Sequence, residues 1–508
     1  MALLPAGDRP RSPLDLPAAR RLALRRLRHV RHRRGAAGPD PPPDHHRVHR
    51  DGRARREPPP QRDGRGDPAP GRPDHGRRPL RPRPRHPTRS SSNRPTGMRR
   101  PTAMDHQQRV LDALDADDPA PHLNLLAGGP AAVDCPDLGS GRLVLTRHAD
   151  VRRALRDDAF GCAPSAGHFL AGLPAALRPA LAPVSSWALY TDGADHRRLR
   201  SLLAKAFTPR RIAALEAGTT AAVRGLLGRL AAAGGGDAVR GLAFPLPVLT
   251  ISELLGLPAA DRDLLKQWSD DLIRLVEPDP SAEDTERIGR SWTALWEYFG
   301  AVVAERRARP ADDVVSGLVR AEADGARLTS DEIVSNCVSL LLGGHETTTG
   351  LLTSLLTAVR AHPGPARDAA RSPAAAAAFV EEVLRTDGPS KITARTVLAD
   401  TEIAGVPVAR GRRVVLLLAS ANRDPLVFDR PGAFDPTRAP NPHLAFGHGP
   451  HACFGAALAR LQARIVLEQY AAHPARFTAL TELTAWKPSR VLRSACSLPL
   501  ATARGRAA

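Results

Sequence analysis

The segment "LTSDEIVSNCVSLLLGGHETTTGLLTSLLTAVRAHP", residues 328–363, constrains the fold more than any other stretch of this chain. Thr329 and Glu332 have the spacing of a capping box and Pro363 marks a stop, which predicts one long helix. From Val338 to Leu356 nearly every position is apolar, small or hydroxyl-bearing. A helix without a polar face must be covered on all sides. No run of 18 apolar residues occurs anywhere in the sequence, so no segment reads as a bilayer span or membrane anchor. The expectation is a large helical domain wrapped around this element.

The same segment contains a flaw. Gly343 and Gly344 stand in mid-helix, each costing about 1 kcal/mol relative to alanine. His345, Glu346 and three threonines follow directly. Polar groups in the most buried helix are expensive without partners. Rule-breaking of this kind is expected where a site is built; a hydroxyl-lined kink with a chance acid is the alternative.

Other amphipathic stretches, 210–236 and 288–310, read as helices closed by glycines and by Pro310. Strand signals are fewer: 141–147, 393–398, 402–408 and 412–420. The fold class expected is therefore mainly α with a small β-sheet region, and no internal repeat.

The chain has 508 residues and a formal charge of +20. Residues 1–100 hold 27 arginines, no lysine and 9 acidic residues, or +18, which leaves 20 − 18 = +2 for the other 408. Basicity thus belongs to a tail, and nucleic-acid binding, if any, would be the tail's rather than the main domain's. The tail also holds 19 of the 49 prolines and few apolar residues at regular spacing. It reads as a disordered Arg/Pro-rich extension over 1–103, with 104–508 as the folded domain. One piece, "ARRLALRRLRHV", could form a short basic helix, and no targeting peptide is evident. Met98 or Met104 is the expected true start.

Five cysteines, without paired spacing, provide neither a disulfide framework nor a zinc site and suit a reducing compartment. Cys453 is unusual among them. It lies in "HLAFGHGPHACFGAALAR", residues 443–460, where Gly447, Gly449 and Gly455 permit tight turns and close approach to a ligand. A helical run follows, so the sulfur should sit at a helix N-terminus, which lowers a thiol's pKa. Nucleophile, redox sensor and metal ligand all remain open. As a ligand it is alone, and one protein sulfur on one metal suits a haem, whose porphyrin supplies the other four donors.

"FGHGPHACFGAALAR" resembles the haem-binding signature of the cytochrome P450 family, Phe-x-x-Gly-x-x-x-Cys-x-Gly, with Phe446, Gly449, Cys453 and Gly455 in its fixed places. Three features are similar in chain order. "GGHETT" (343–348) resembles the oxygen-activating segment, and "EEVLR" (381–385) carries the Glu-x-x-Arg pair as Glu382 and Arg385. "ANRDPLVFDRPGAFDPTR" (421–438) resembles the meander, with Arg438 completing an ion network. "HRRLRSLLAKAFTPRR" (196–211) is similar to the helix that crosses the haem propionates. The resemblance covers about residues 105–508.

It implies a P450-like fold with haem b between the long central helix and the Cys-loop helix. Cys453 would ligate the iron through its thiolate, and Phe446 would shield the sulfur side. His196, Arg200, Arg395 and His451 would hold the propionates. Gly344 would open a groove for O2, with Thr347 hydrogen-bonding the activated oxygen and Glu346 delivering protons. The implied activity is hydroxylation of a lipophilic small molecule, a secondary metabolite. No flavin or NAD(P) fingerprint is present, so electrons would come from a ferredoxin-type donor with its reductase. The protein would be a cytoplasmic monomer without nucleic-acid partners. Epoxidation, phenol coupling and peroxide-driven oxidation are the alternatives, followed by a non-catalytic haem sensor. Lys391, inside an implied pocket segment, would face solvent or a propionate, or else greet an acidic substrate group.

Overall fold

The computed structural model describes residues 102–138, 142–276, 281–323, 326–473, 475–479 and 484–502. The expectations for residues 1–100, disorder and the short basic helix included, lie outside the described residues. Residues 101–508 form one compact unit. The elements that matter for function run in chain order as α1 (Ala103–Asp115), β1 (Ala132–Asp134), β2 (Arg142–Leu145), α2 (His148–Ala154), β3 (Phe160–Gly161), α3 (Gly193–Ala206), α4 (Glu216–Ala232), α5 (Arg262–Ile273), α6 (Ala282–Ala308), α7 (Ser330–Ala361), α8 (Pro373–Asp387), β4 (Thr393–Val397), β5 (Arg413–Leu416), α9 (Ala456–Ala472), β6 (Ala485–Trp486) and β7 (Ala495–Ser497). Short helices and hairpins join them.

Helix α7 is the axis, as its all-round apolar pattern demands. The capping box forms: Asp331 and Glu332 occupy the first turn, Glu332 N–H donates to Thr329 Oγ1 at 3.2 Å, and Thr329 N–H donates to Glu332 Oε2 at 2.8 Å. The helix stops at His362, before Pro363. Leu351, Leu352, Leu355 and Leu356 are all buried, each worth roughly 1.5–3 kcal/mol of apolar burial. Helices α5, α6, α8 and α9 pack around it.

The five-stranded sheet has the order β1-β2-β5-β4-β3. Strands β2 and β5 are parallel, with Arg142 opposite Arg413, while β4 is antiparallel to β5, with Arg395 opposite Val414 and Thr396 opposite Arg413. One face packs Leu143, Val397, Val414 and Leu416 together, and the other packs Val144 and Val415 with α1. The hairpin β6–β7 lies close to α7, because a Cβ on Gly350 would come within 2.5 Å of the Arg493 carbonyl oxygen.

Two expected elements are shorter than their patterns suggest. The stretch 210–236 divides at Leu215, Thr208 capping a short helix that begins at Pro209 before α4 starts. The strand expected over 412–420 ends at Leu416, and residues 418–421 form a helical turn. The folded unit also begins before Met104, since Thr102 caps α1 through its own capping box.

Candidate functional site

The loop before α9 is closed by backbone geometry. Gly447 and Gly449 have φ of +69° and +75°, values that side chains disfavour. A Cβ on Gly449 would lie 2.8 Å from the Leu155 carbonyl oxygen, so the loop is pressed against the end of α2. Cys453 N–H donates to Phe446 O at 2.8 Å. The Cys453 side chain faces open space, and Gly455 beside it has no neighbouring atom within 4 Å of a would-be Cβ. Burial raises the thiol pKa, opposed by the N–H groups of Gly455 and Ala456 and by the charges of Arg200 and Arg460. The surrounding protein and the helix terminus thus pull the thiol in opposite directions, and a cation bound at its exposed side would favour the thiolate.

A second open stretch lies in the middle of α7. The helix runs unbroken through Gly343 and Gly344, and neither glycine has an atom within 4 Å of a built Cβ. Thr347 Oγ1 donates to Gly343 O at 2.6 Å. Glu346 is buried, and its Oε1 accepts from Lys487 Nζ at 2.8 Å while Oε2 has no partner. His345 is fully buried, with Nδ1 2.7 Å from Ser269 Oγ and its ring edge-on to Phe244. Burial, then the charges of Lys487 and Lys266, depress its pKa to about 3, so it is neutral.

Basic groups gather beside the Cys loop. The His196 and His451 rings stack with centroids 3.9 Å apart, joining α3 to the Cys loop. His196 is buried and its Nε2 has no partner. Burial and then His451 and Arg200 lower its pKa to about 4. His451 Nε2 lies 3.4 Å from Asp192 Oδ1. Arg200 sits 4.9 Å above the Phe454 ring, and Arg395 is buried with its guanidinium on the Ala394 carbonyl at 2.8 Å.

The Glu-x-x-Arg pair is no surface pair. Arg385 donates to both oxygens of Glu382, at 2.9 and 2.7 Å, and both side chains are fully buried. Glu382 Oε1 also accepts from Arg438 Nε at 3.3 Å and from Asp435 N–H at 2.8 Å. Arg385 spends its remaining donors on the carbonyls of Asn422, Pro431 and Ala433. One guanidinium thus pins the meander to α8, which positions the Cys loop that follows.

These features fit a flat, anionic-edged prosthetic group. A lone sulfur faces open space at the head of α9, and an opened helix face occurs on α7, which packs against α9. His196 Nε2 is an orphaned buried nitrogen on a basic rim, short of an anion. Among the implied pocket residues, Lys391 behaves differently from every option the sequence left open. It is buried and donates to the Leu114 carbonyl at the C-terminal end of α1, with desolvation lowering its pKa to about 8. It serves a helix terminus rather than solvent, a propionate or a substrate.

Lys487 and Arg460 were not found from sequence. Arg460 lies 4.5 Å above the Phe446 ring and is held by Glu381 at 2.7 and 2.8 Å, with His443 Nε2 3.0 Å from the same carboxylate. Burial opposes ionisation of Glu381, but the hydrogen bonds and charges of Arg460 and His443 outweigh it and depress its pKa to about 2. Only the helical spacing of Arg460 from the Cys loop hinted at its place.

A sequence model described as Cytochrome P450 matches residues 375–470. The chain is 40% identical over 336 residues to the erythromycin C-12 hydroxylase of Saccharopolyspora erythraea, covering 65% of this chain and 82% of that one. It is 36% identical over 392 residues to the nocardicin C N-oxygenase of Nocardia uniformis subsp. tsuyamanensis, covering 76% and 93%. Among solved structures it is similar to CalO2, with a TM-score of 0.71 and 32% identity over 78% of this chain and 99% of the other. It is also similar to P450BioI in complex with an acylated acyl carrier protein, with a TM-score of 0.69 and 29% identity over 78% and 100%.

Proposed function

The chain belongs to the cytochrome P450 family and is a P450-type monooxygenase, and we propose that it hydroxylates a lipophilic secondary metabolite at a haem b held by Cys453. The observation that carries this reading is an exposed Cys453 at the head of α9 together with the uncovered, polar middle of α7, which packs on α9. Several relatives have names that describe oxidation of such molecules, by hydroxylation, N-oxygenation or epoxidation.

Bound haem supplies the redox iron at which dioxygen is activated. The rest falls to residues of the chain. Cys453 would give the iron its sulfur donor, with the Gly455 and Ala456 N–H groups tuning that donor. Phe446, under Arg460, would cover the sulfur side. His196, Arg200, Arg395 and His451 would bind the propionates, giving the orphaned His196 nitrogen its acceptor. Gly344, with Gly343, would leave room for the group beside α7. Thr347 Oγ1 would turn from the Gly343 carbonyl to place its proton at the oxygen site. The Glu346 carboxylate, held by Lys487, would relay that proton, its free Oε2 taking one from solvent water and passing it to Thr347 Oγ1.

Electrons would come from a ferredoxin-type donor with its reductase. A cavity of about 410 Å³ opens beside the Cys loop, lined by Phe207, Ile212, Phe454, Arg460 and Arg464 with Glu216 and Glu381. No described helix is long and apolar enough to cross a membrane.

The test is turnover of lipophilic natural products that shift the Soret band, under 18O2 with ferredoxin and reductase. One labelled oxygen per product supports the reading. Unlabelled product, or equal turnover with peroxide alone, contradicts it.

A further inference from the structure

Arg142 and Arg413 begin two adjacent parallel strands, opposite one another in register. Neighbouring strands lie about 4.8 Å apart, and register partners point to the same face. Two guanidinium groups therefore share one patch of sheet. Both are half-buried, and no carboxylate lies in ion-pair or hydrogen-bond reach of either among the described residues. The Arg413 Nε is buried and has no partner. Like charges opposite each other on a sheet are destabilising, and burial sharpens the repulsion by lowering the local dielectric. The fully buried Arg385, by contrast, is compensated by Glu382.

Two hydroxyls complete the patch. Thr396 is opposite Arg413 on β4, and its Oγ1 is buried without a partner. Tyr190 lies near enough for the two side chains to influence each other: the Arg413 charge opposes the rise that burial causes in the Tyr190 pKa, while burial and then Arg142 lower that of Arg413. Two uncompensated cations, an orphaned guanidinium N–H and an orphaned hydroxyl all lack the same thing, an acceptor with negative charge.

The patch is separate from the haem rim. Strand alternation places Arg395, opposite Val414, on one face of the sheet, and Thr396, Arg413 and Arg142 on the other. A propionate held by Arg395 does not lie on the face of Arg413.

We propose that Arg142 and Arg413, with Thr396 and Tyr190, form a binding site for a single oxyanion, the carboxylate or phosphate group of a small molecule. Guanidinium forks match both groups in geometry. The site does not depend on haem ligation by Cys453, so it stands or falls by itself.

The test is thermal unfolding of the full-length holoprotein in sodium phosphate, sodium acetate or sodium chloride at matched ionic strength. The arginine-rich tail also attracts anions, so wild type is compared with Arg142→Gln and Arg413→Gln chains that keep the tail. Wild type should gain about 1–3 °C in phosphate or acetate over chloride, and each variant should lose most of that gain. Arg413→Lys, which keeps the charge but not the fork, should retain part of it. A gain in both salts assigns a carboxylate-type site, and a gain in phosphate alone assigns a phosphate. No gain in wild type, or an equal gain in both glutamine variants, overturns the proposal. A variant that fails to fold in chloride and in both oxyanion salts also counts against it, because removing one of two repelling cations should not unfold the protein.

Discussion

Lys487 Nζ lies 2.8 Å from Glu346 Oε1, tying the β6–β7 hairpin to the middle of a helix 141 residues earlier in sequence. Close packing of that hairpin against Gly350 holds the lysine in place. Lys487→Met should leave a buried carboxylate without its counter-charge. Breaking a fully buried pair costs 3–5 kcal/mol; the lysine is 30% exposed, so about 1–2 kcal/mol is expected. Urea unfolding measures this. Product formed per electron consumed should also fall, since the proton donor loses its fixed position.

Thr347→Ala removes the hydroxyl that now rests on the Gly343 carbonyl. Haem content should be unchanged. Electrons should instead be lost to peroxide, with product formation falling by roughly 10²-fold if the hydroxyl acts in proton transfer. Thr347→Ser should recover most of the activity. Peroxide and product assays run side by side distinguish the outcomes; coupling equal to wild type in the alanine variant removes Thr347 from the mechanism.

Arg385 joins α8 to the meander through one carboxylate and three carbonyls. Arg385→Ala should cost about 3–5 kcal/mol, because Glu382 is left as a buried, underpaired charge. Arg385→Lys should rescue little, since an ammonium cannot reproduce the planar fork. Loss of haem retention should accompany the lost stability, measurable by gel filtration with absorbance at the Soret band. A lysine variant as stable as wild type would contradict this role.

Acid sensitivity should trace in part to His345. Its pKa of about 3, set by burial and two lysines, lies below the unfolded value of 6.5. A base with a depressed pKa stabilises the fold fully above pH 6.5. That contribution falls as pH drops toward 3, at up to about 1.4 kcal/mol per pH unit. Glu381, depressed to about 2 from 4.5, adds its own loss only below pH 4.5. Between pH 6.5 and 4.5, where His196, depressed to about 4, contributes a like slope, His345→Leu should remove its own share and partly flatten stability against pH relative to wild type. Parallel curves from urea titrations would show that His345 does not control this range.

Much of the architecture was legible because its signals are local. Thr329, Glu332 and Pro363 fix both ends of α7 within a few residues of each boundary. The Cys loop could be read because its glycines answer to backbone dihedrals. The ends of other elements depend on distant partners. The strand of 413–416 yields to a helical turn where the Asn422 carbonyl is taken by Arg385. Lys391 was misjudged because its acceptor, Leu114, is 277 residues away. Lys487 was missed for the same reason. For Cys453 the sequence shows the helix terminus that follows it, while the surrounding atoms that raise its pKa come from the fold.

The central claim is that the Cys453 sulfur binds the haem iron. The most direct measurement is the absorbance spectrum of the reduced, CO-treated holoprotein, wild type against Cys453→Ser. Wild type should show the strongly red-shifted Soret band of thiolate ligation, and the serine variant should lose it. An unshifted band in wild type, or the same red-shifted band in the variant, would contradict the claim.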